Sequence, residues 1–325
     1  MSHLHEITAK LSRIISSNVK EGDDIVVIAT NDVDSDAHNA LLSTLSAIKN
    51  TETVSVFITP RKWFGQPPPS SVIRMVEDAD LVIAATSTSL APTDVLRKTV
   101  QSGGRWLNFS GLSLEMLSKP TVTVDPELLK KNCVKLAKAL HGNSVHITSK
   151  NGTDLRLKIL GRKAFPSYHV AEAESYFQAP IPGGEAMIAV VEDSTDGVAV
   201  IEKSLSGVKN LKGQVTLSFK DGYLTDIVGG IGADKLRNIL ESADENAKVL
   251  GEVGLGANPK AEIVGNISED KRVLGTAHIA LGDNLFIVPE LYGKNSSNAH
   301  IDCLIVDPTV TIDGKTIIEN GHQCI

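Results

Sequence analysis

The sequence predicts an α/β, doubly wound N-terminal domain joined to an α+β, mainly antiparallel, C-terminal domain. Three observations carry this. Short apolar runs alternate with helical spacing over the first 110 or so residues. From Val145 the texture changes to turn-punctuated strands. Near the C-terminus, histidines and carboxylates stand inside strand-like apolar runs, a combination that an ordinary core does not contain. The boundaries are expected at 1–124 for the doubly wound domain, 125–144 for a bridging helix and 145–325 for the second domain.

The first helix is read from Leu4, Ile7, Leu11, Ile14 and Ile15, which recur every three or four positions. Ile25–Thr30 is a continuous apolar run, as a buried parallel strand would be. Strands at 54–58, 80–85 and 105–109 follow, separated by helices at 40–48, 70–77 and 92–100, the spacing of βαβ units. The acidic loop Asp32, Asp34, Asp36 has the alternation of a calcium loop but lacks its glycine and late glutamate. No G-x-G-x-x-G follows the strand either. The loop is therefore expected to cap the next helix through a Ser or Asp, the alternative being a loop leaning over a site at the strand ends. Trp63-Phe64-Gly-Gln-Pro-Pro-Pro69 is expected to be a rigid loop, with a lid or interface as the alternative.

Helices are expected at 112–117 and 126–140. Strands then come with Asn151-Gly152, Asp221-Gly222 and Asp313-Gly314 as turns. A strongly periodic helix at 232–249 interrupts them and places Glu252 at a helix end.

Composition narrows the class. The chain has 325 residues, 42% of them hydrophobic and 22% charged, as in a soluble globular protein. A net charge of −7 and 4% aromatics argue against non-specific or stacking-based nucleic-acid binding. No apolar run approaches the roughly 20 residues of a membrane span, so no membrane contact is expected. The start shows no basic segment followed by an apolar one, and Cys133, Cys303 and Cys324 form no CxxC pair. The expected setting is a reducing cytoplasm.

His300 and Asp302 are two apart in a strand-like run and so project from one face. His278 lies in a second run, Thr-Ala-His-Ile-Ala-Leu. Two imidazoles and a carboxylate from adjacent strands can converge on a divalent cation. A single histidine in an apolar strand is more often a core residue; company changes that. Glu252 stands in Gly-Glu-Val-Gly-Leu-Gly and Glu185 follows Pro-Gly-Gly, where an unpaired carboxylate would be costly to bury. Glu185, Glu252 and Asp302 carry three negative charges, so one divalent ion leaves a net −1 and two leave +1. The donors suit zinc, manganese or cobalt, while His278, His300 and Asp302 alone match the two-His-one-carboxylate set of iron(II) oxygenases. No G-x-S-x-G, Walker loop or H-E-x-x-H offers other chemistry, and Cys303 should face away from Asp302.

These residues resemble the metallo-aminopeptidases of the aminopeptidase T and aminopeptidase S type. The likeness runs through Ser149-Lys-Asn-Gly-Thr-Asp154, Pro182-Gly-Gly-Glu185, Glu252 to Pro259, Leu274 to Gly282 and His300-Ile-Asp302. It implies a metal-binding catalytic domain with Glu185, Glu252, His278, His300 and Asp302 as ligands of two divalent ions (zinc, cobalt or manganese). Glu185 and Glu252 would be the catalytic carboxylates, Glu252 bridging the ions with the others as terminal ligands, and one of the two glutamates doubling as proton carrier. It further implies an aminopeptidase-like hydrolase of a small amide or short peptide, and a homodimer. Two features depart from that family. No tyrosine stands between Ile279 and Leu291, where family members carry one, with Leu285 and Phe286 in its place and Tyr292 downstream; the chain is also shorter. The same superfamily includes 2,5-dihydroxypyridine dioxygenase, which this chain resembles at Asp154 and at His300-Ile-Asp302. That likeness implies one iron(II) and ring cleavage. A non-catalytic relative that kept the metal site is the third alternative.

Overall fold

The computed structural model describes residues 2–61, 66–91, 93–208, 210–285 and 293–325; Trp63 and Phe64 lie outside them. The chain divides into two compact units, Met1–Pro126 with Ser167–Gly183, and Glu127–Pro166 with Gly184–Ile325. The helix expected to bridge, Pro126–Ala139, thus falls almost wholly in the second unit. The stretch Ser167–Gly183, expected in the second domain, returns to the first. Among the described residues no helix is long and apolar enough to cross a membrane.

The first unit is built on a five-stranded parallel sheet in the order Glu52–Ile58, Asp24–Thr30, Leu81–Ala85, Arg105–Asn108, Gln178–Pro180. Residues 25–29 and strand Leu81–Ala85 are continuously apolar and buried because both faces are covered, which is why they read as unbroken runs. Ile7, Leu11 and Ile15 of the first helix pack into one core with Ile25, Val27, Leu41, Leu45, Ile83 and Phe109. The acidic loop caps: Asp34 Oδ1 accepts from the backbone N–H groups of Asp36 at 3.0 Å and Ala37 at 3.2 Å, starting helix Ser35–Ser46. Its Oδ2 accepts from Leu114 N at 3.0 Å, tying the loop to the later helix Leu114–Ser118. Asp23 and Arg105 form a buried ion pair at 2.5 Å, and Arg105 also donates to the Asn18 carbonyl.

The second unit holds two sheets. The larger has eight strands in the order Tyr223–Gly229, Val215–Lys220, Asp196–Ile201, Asp154–Lys158, Ser144–Thr148, Thr309–Ile312, Lys315–Glu319, His322–Gln323. All its pairings are antiparallel. Asp221-Gly222 and Asp313-Gly314 have φ of +48° and +82° in each pair, the left-handed pair of residues that a two-residue hairpin turn requires. The smaller sheet runs His300–Ile305, Ala277–Gly282, Leu250–Gly256, Glu185–Ala189, Phe165–Ser167.

One expectation is corrected here. The helix ends at Ser242 and a short 3-10 turn, Glu245–Lys248, follows, so Glu252 is not at a helix end. It sits inside strand Leu250–Gly256, fully buried along its length. Its three glycines read as a turn, but they are positions where neighbouring groups cross the strand closely.

Candidate metal centre

The register of the smaller sheet assembles the site. Gly254 lies opposite His278, Gly256 opposite Glu185, Ala280 opposite both Glu252 and Asp302, and Gly282 opposite His300. Directly opposed residues share a face, so all five expected residues, Glu185, Glu252, His278, His300 and Asp302, project to one side. Each stands across from glycine or alanine, which leaves room for its side chain. The His278 ring lies over Gly254 so closely that a Cβ there would come within 2.1 Å of its Cε1. A slip of one residue would turn the whole set to the opposite face.

Distances confirm the convergence. His278 Nε2 is 3.2 Å from Glu252 Oε1, 3.6 Å from Glu185 Oε2 and 3.9 Å from Asp302 Oδ1. His300 Nε2 is 3.5 Å from Asp302 Oδ1 and 3.7 Å from Glu252 Oε2. Glu252, His278 and Asp302 offer donor atoms within 4.8 Å of one another, all buried. Cys303 points away and is buried; desolvation pushes its thiol up, so it stays a neutral core group. Leu285 is half-buried, while Phe286 and Tyr292 lie outside the described residues.

Two residues absent from the sequence reading complete the site. Lys271 Nζ lies 3.2 Å from both Asp302 oxygens and 3.6 Å from Glu185 Oε2. Arg272 pairs with Glu185 Oε1. Both side chains are about nine-tenths buried. In the sequence they sit in Ser-Glu-Asp-Lys-Arg, which looks like a solvated charge run; only their place a few residues before strand Ala277–Gly282 hinted otherwise.

The electrostatics follow. Burial opposes ionisation of Asp302, but the Lys271 ammonium and the His300 contact hold its carboxyl well below the usual range. Burial likewise opposes the charge on Glu252 and is outweighed by the His278 hydrogen bond and the positive charges nearby, so its pKa is lowered. Burial pulls Lys271 down, and Asp302 with Glu185 more than reverses it. For His300 burial is again outweighed, by the Asp302 hydrogen bond and charge, raising the ring to about 9.

These residues fit a divalent cation on three structural grounds. The donor set is of imidazole and carboxylate. Glu185 Oε2, fully buried, has no hydrogen-bond partner among the described residues. His300 Nδ1 is 2.9 Å from the Asp283 carbonyl and donates to it, which turns the Nε2 lone pair toward Glu252 and Asp302. A lone pair facing two carboxylates needs a cation, a proton or a metal, between them.

A family profile described as NicX: 2,5-dihydroxypyridine 5,6-dioxygenase matches residues 7–324. The chain is 29% identical to aminopeptidase AmpS of Bacillus subtilis (strain 168) over 53% of its own length and 47% of that protein's. It is 25% identical to the 2,5-dihydroxypyridine 5,6-dioxygenase of Pseudomonas putida KT2440 over 76% of its length and 72% of that protein's. The fold of a 2,5-dihydroxypyridine dioxygenase from Pseudomonas putida KT2440 superposes with a TM-score of 0.83 at 20% identity, covering 98% of this chain and 97% of that one. AmpT from Thermus thermophilus superposes at 0.72 and 16% identity over 99% and 100%. The chain thus spans about half of the AmpS sequence and more of the dioxygenase. It belongs to the 2,5-dihydroxypyridine 5,6-dioxygenase (NicX) family, within the superfamily shared with the AmpS and AmpT type of aminopeptidase.

Proposed function

We propose that this protein is a mononuclear metal enzyme that opens a small dihydroxylated, nitrogen-containing aromatic ring with molecular oxygen. His278, His300 and Asp302 would hold iron(II), with Glu252 beside them. The observation that carries this reading is the pair of cations already inside the site. Three carboxylates against Lys271 and Arg272 leave one net negative charge, which a single divalent ion takes to one positive. Two ions would leave a net of three positive charges in a buried pocket. Bound there, iron(II) brings the redox chemistry that ring opening needs, and zinc, cobalt or manganese brings the Lewis acidity of an amide hydrolase.

The chain's own residues do the rest. The Asp283 carbonyl fixes the His300 ring and its tautomer. Lys271 stays protonated and pins the Asp302 carboxylate in one orientation through both oxygens. Glu252, held ionised and within reach of both imidazoles, can take a proton from a bound hydroxyl group.

A second reading is hydrolysis of an amide or short peptide, the aminopeptidase-like activity. It is favoured by the completeness of the set, with Glu185 and Glu252 both present on the same face as His278. The two readings separate in one pair of assays on anaerobically purified protein. Iron-loaded protein should consume oxygen with 2,5-dihydroxypyridine. Turnover of amino-acid anilides by the zinc, cobalt or manganese form, with no oxygen uptake by the iron form, would replace the first reading with the second. Metal binding with neither activity would leave the non-catalytic relative.

A further inference from the structure

We propose that Glu192 is a positioning residue of the metal centre, acting through Asn284 on the backbone that holds Glu252 and His300. The proposal rests on the metal reading above. Asn284 follows strand Ala277–Gly282 by two residues and is buried. Its Nδ2 donates to Glu192 Oε1 at 2.8 Å, to the Gly251 carbonyl at 3.3 Å and to the Val190 carbonyl at 3.5 Å. Its Oδ1 accepts from Asn295 N at 2.9 Å. Gly251 precedes Glu252 in the chain, and Asp283, whose carbonyl holds His300 Nδ1, precedes Asn284. One carboxamide therefore ties the residue before Glu252 to the corner that presents the His300 acceptor.

A carboxamide fits its space either way round, and its partners decide which end faces where. The Gly251 and Val190 carbonyls and the Glu192 carboxylate are all acceptors, so they draw the NH2 group and leave the oxygen to Asn295 N. Of the three the carboxylate is the strongest, because its hydrogen bond is charge-assisted. Burial opposes its ionisation and is outweighed by the Asn284 and Lys294 hydrogen bonds and the Arg162 charge, so its pKa is lowered. Arg162 Nη2 reaches Glu192 Oε2 at 2.6 Å, and Lys294 N reaches Oε1 at 2.5 Å, so the carboxylate is itself fixed. The slot for the carboxamide is made by glycines. A Cβ on Gly251 would stand 3.1 Å from Asn284 Cβ, and one on Gly293 only 1.9 Å from its Cγ. With no slack on either side, loss of the Glu192 bond passes to the Asp283 carbonyl and so to the His300 ring.

The test is cobalt(II) binding, followed by calorimetric titration and by the visible absorption of the loaded protein, which reports donor geometry. Wild type is compared with Glu192→Ala, Asn284→Ala, the double variant and Asp313→Ala, each checked for folding by circular dichroism. Asp313 accepts hydrogen bonds from Asn143 N and Ser144 N at a hairpin turn of the larger sheet, so its loss weakens the same unit without touching the centre. The expected result is a shifted cobalt band and about 10–100-fold weaker binding in both single variants at 192 and 284, with the double variant no worse than the weaker single. Asp313→Ala should match wild type. An unchanged band and affinity in a folded single variant, losses that add in the double, or the same change in Asp313→Ala each overturns the proposal. Folded wild type that binds no cobalt sinks the metal reading itself, and the proposal with it. Should the alanine variants fail to fold, the isosteric Glu192→Gln decides. An amide offers one acceptor oxygen where a carboxylate offers two, so Asn284, Lys294 and Arg162 cannot all be served. A shifted band there supports the proposal, and an unchanged one overturns it.

Discussion

At the residue scale, the centre depends on what is missing from Gly254 as much as on what its neighbours present. The imidazole of His278 lies across that glycine, so Gly254→Ala must push the ring off its position. Ion affinity should fall about tenfold or more while the strand pairing persists, as read by calorimetric titration of the ion. Unchanged affinity would mean that His278 does not serve as a donor. His300→Ala should remove metal and activity together without unfolding, read by elemental analysis beside circular dichroism. Full metal occupancy in that variant would sink its assignment. Asp302→Ala is a poorer probe, because it strips Lys271 of its closest partner, and an orphaned buried charge costs about 3–5 kcal/mol by itself.

The element scale shows what could be read in advance and what could not. Strands Asp24–Thr30 and Leu81–Ala85 were legible because burial on both faces forces continuous apolar runs. His300 and Asp302 were legible because a strand repeats every two residues. Strand Leu250–Gly256 was hidden: three glycines in seven residues look like a turn until the side chains crossing them are known. Lys271 and Arg272 were hidden because charge neutralisation across strands leaves no local spacing to detect. The capping role of Asp34 was visible and makes a prediction. Asp34→Ala should cost about 1 kcal/mol near neutral pH. Its carboxyl is held below the ordinary 3.8, chiefly by the Leu114 N–H. A lowered folded-state pKa gives stability that is present above 3.8 and lost as pH falls through the folded value. The gap between wild type and variant in denaturant melts should therefore close in strong acid, and a gap that persists there would rule out the charge as its source.

At the scale of the whole molecule, an ion bound only by the folded chain adds to stability by mass action. At 100 times its dissociation constant the gain is about 2.7 kcal/mol, or roughly 5–10 °C in the melting of the second unit. Chelation should remove that increment and re-addition restore it. A transition indifferent to chelator would show that the five residues hold nothing.

The return of Ser167–Gly183 to the first unit bears on how the protein is made. Strand Gln178–Pro180 closes the parallel sheet against Arg105–Asn108, yet it is translated after the first helix and hairpin of the other unit. Ribosomes add roughly 5–20 residues per second. For several seconds, then, the nascent N-terminal sheet carries an open edge at Arg105–Asn108, a site where another strand can pair wrongly. A chain released at Pro126 would keep that edge permanently open to pairing with another strand.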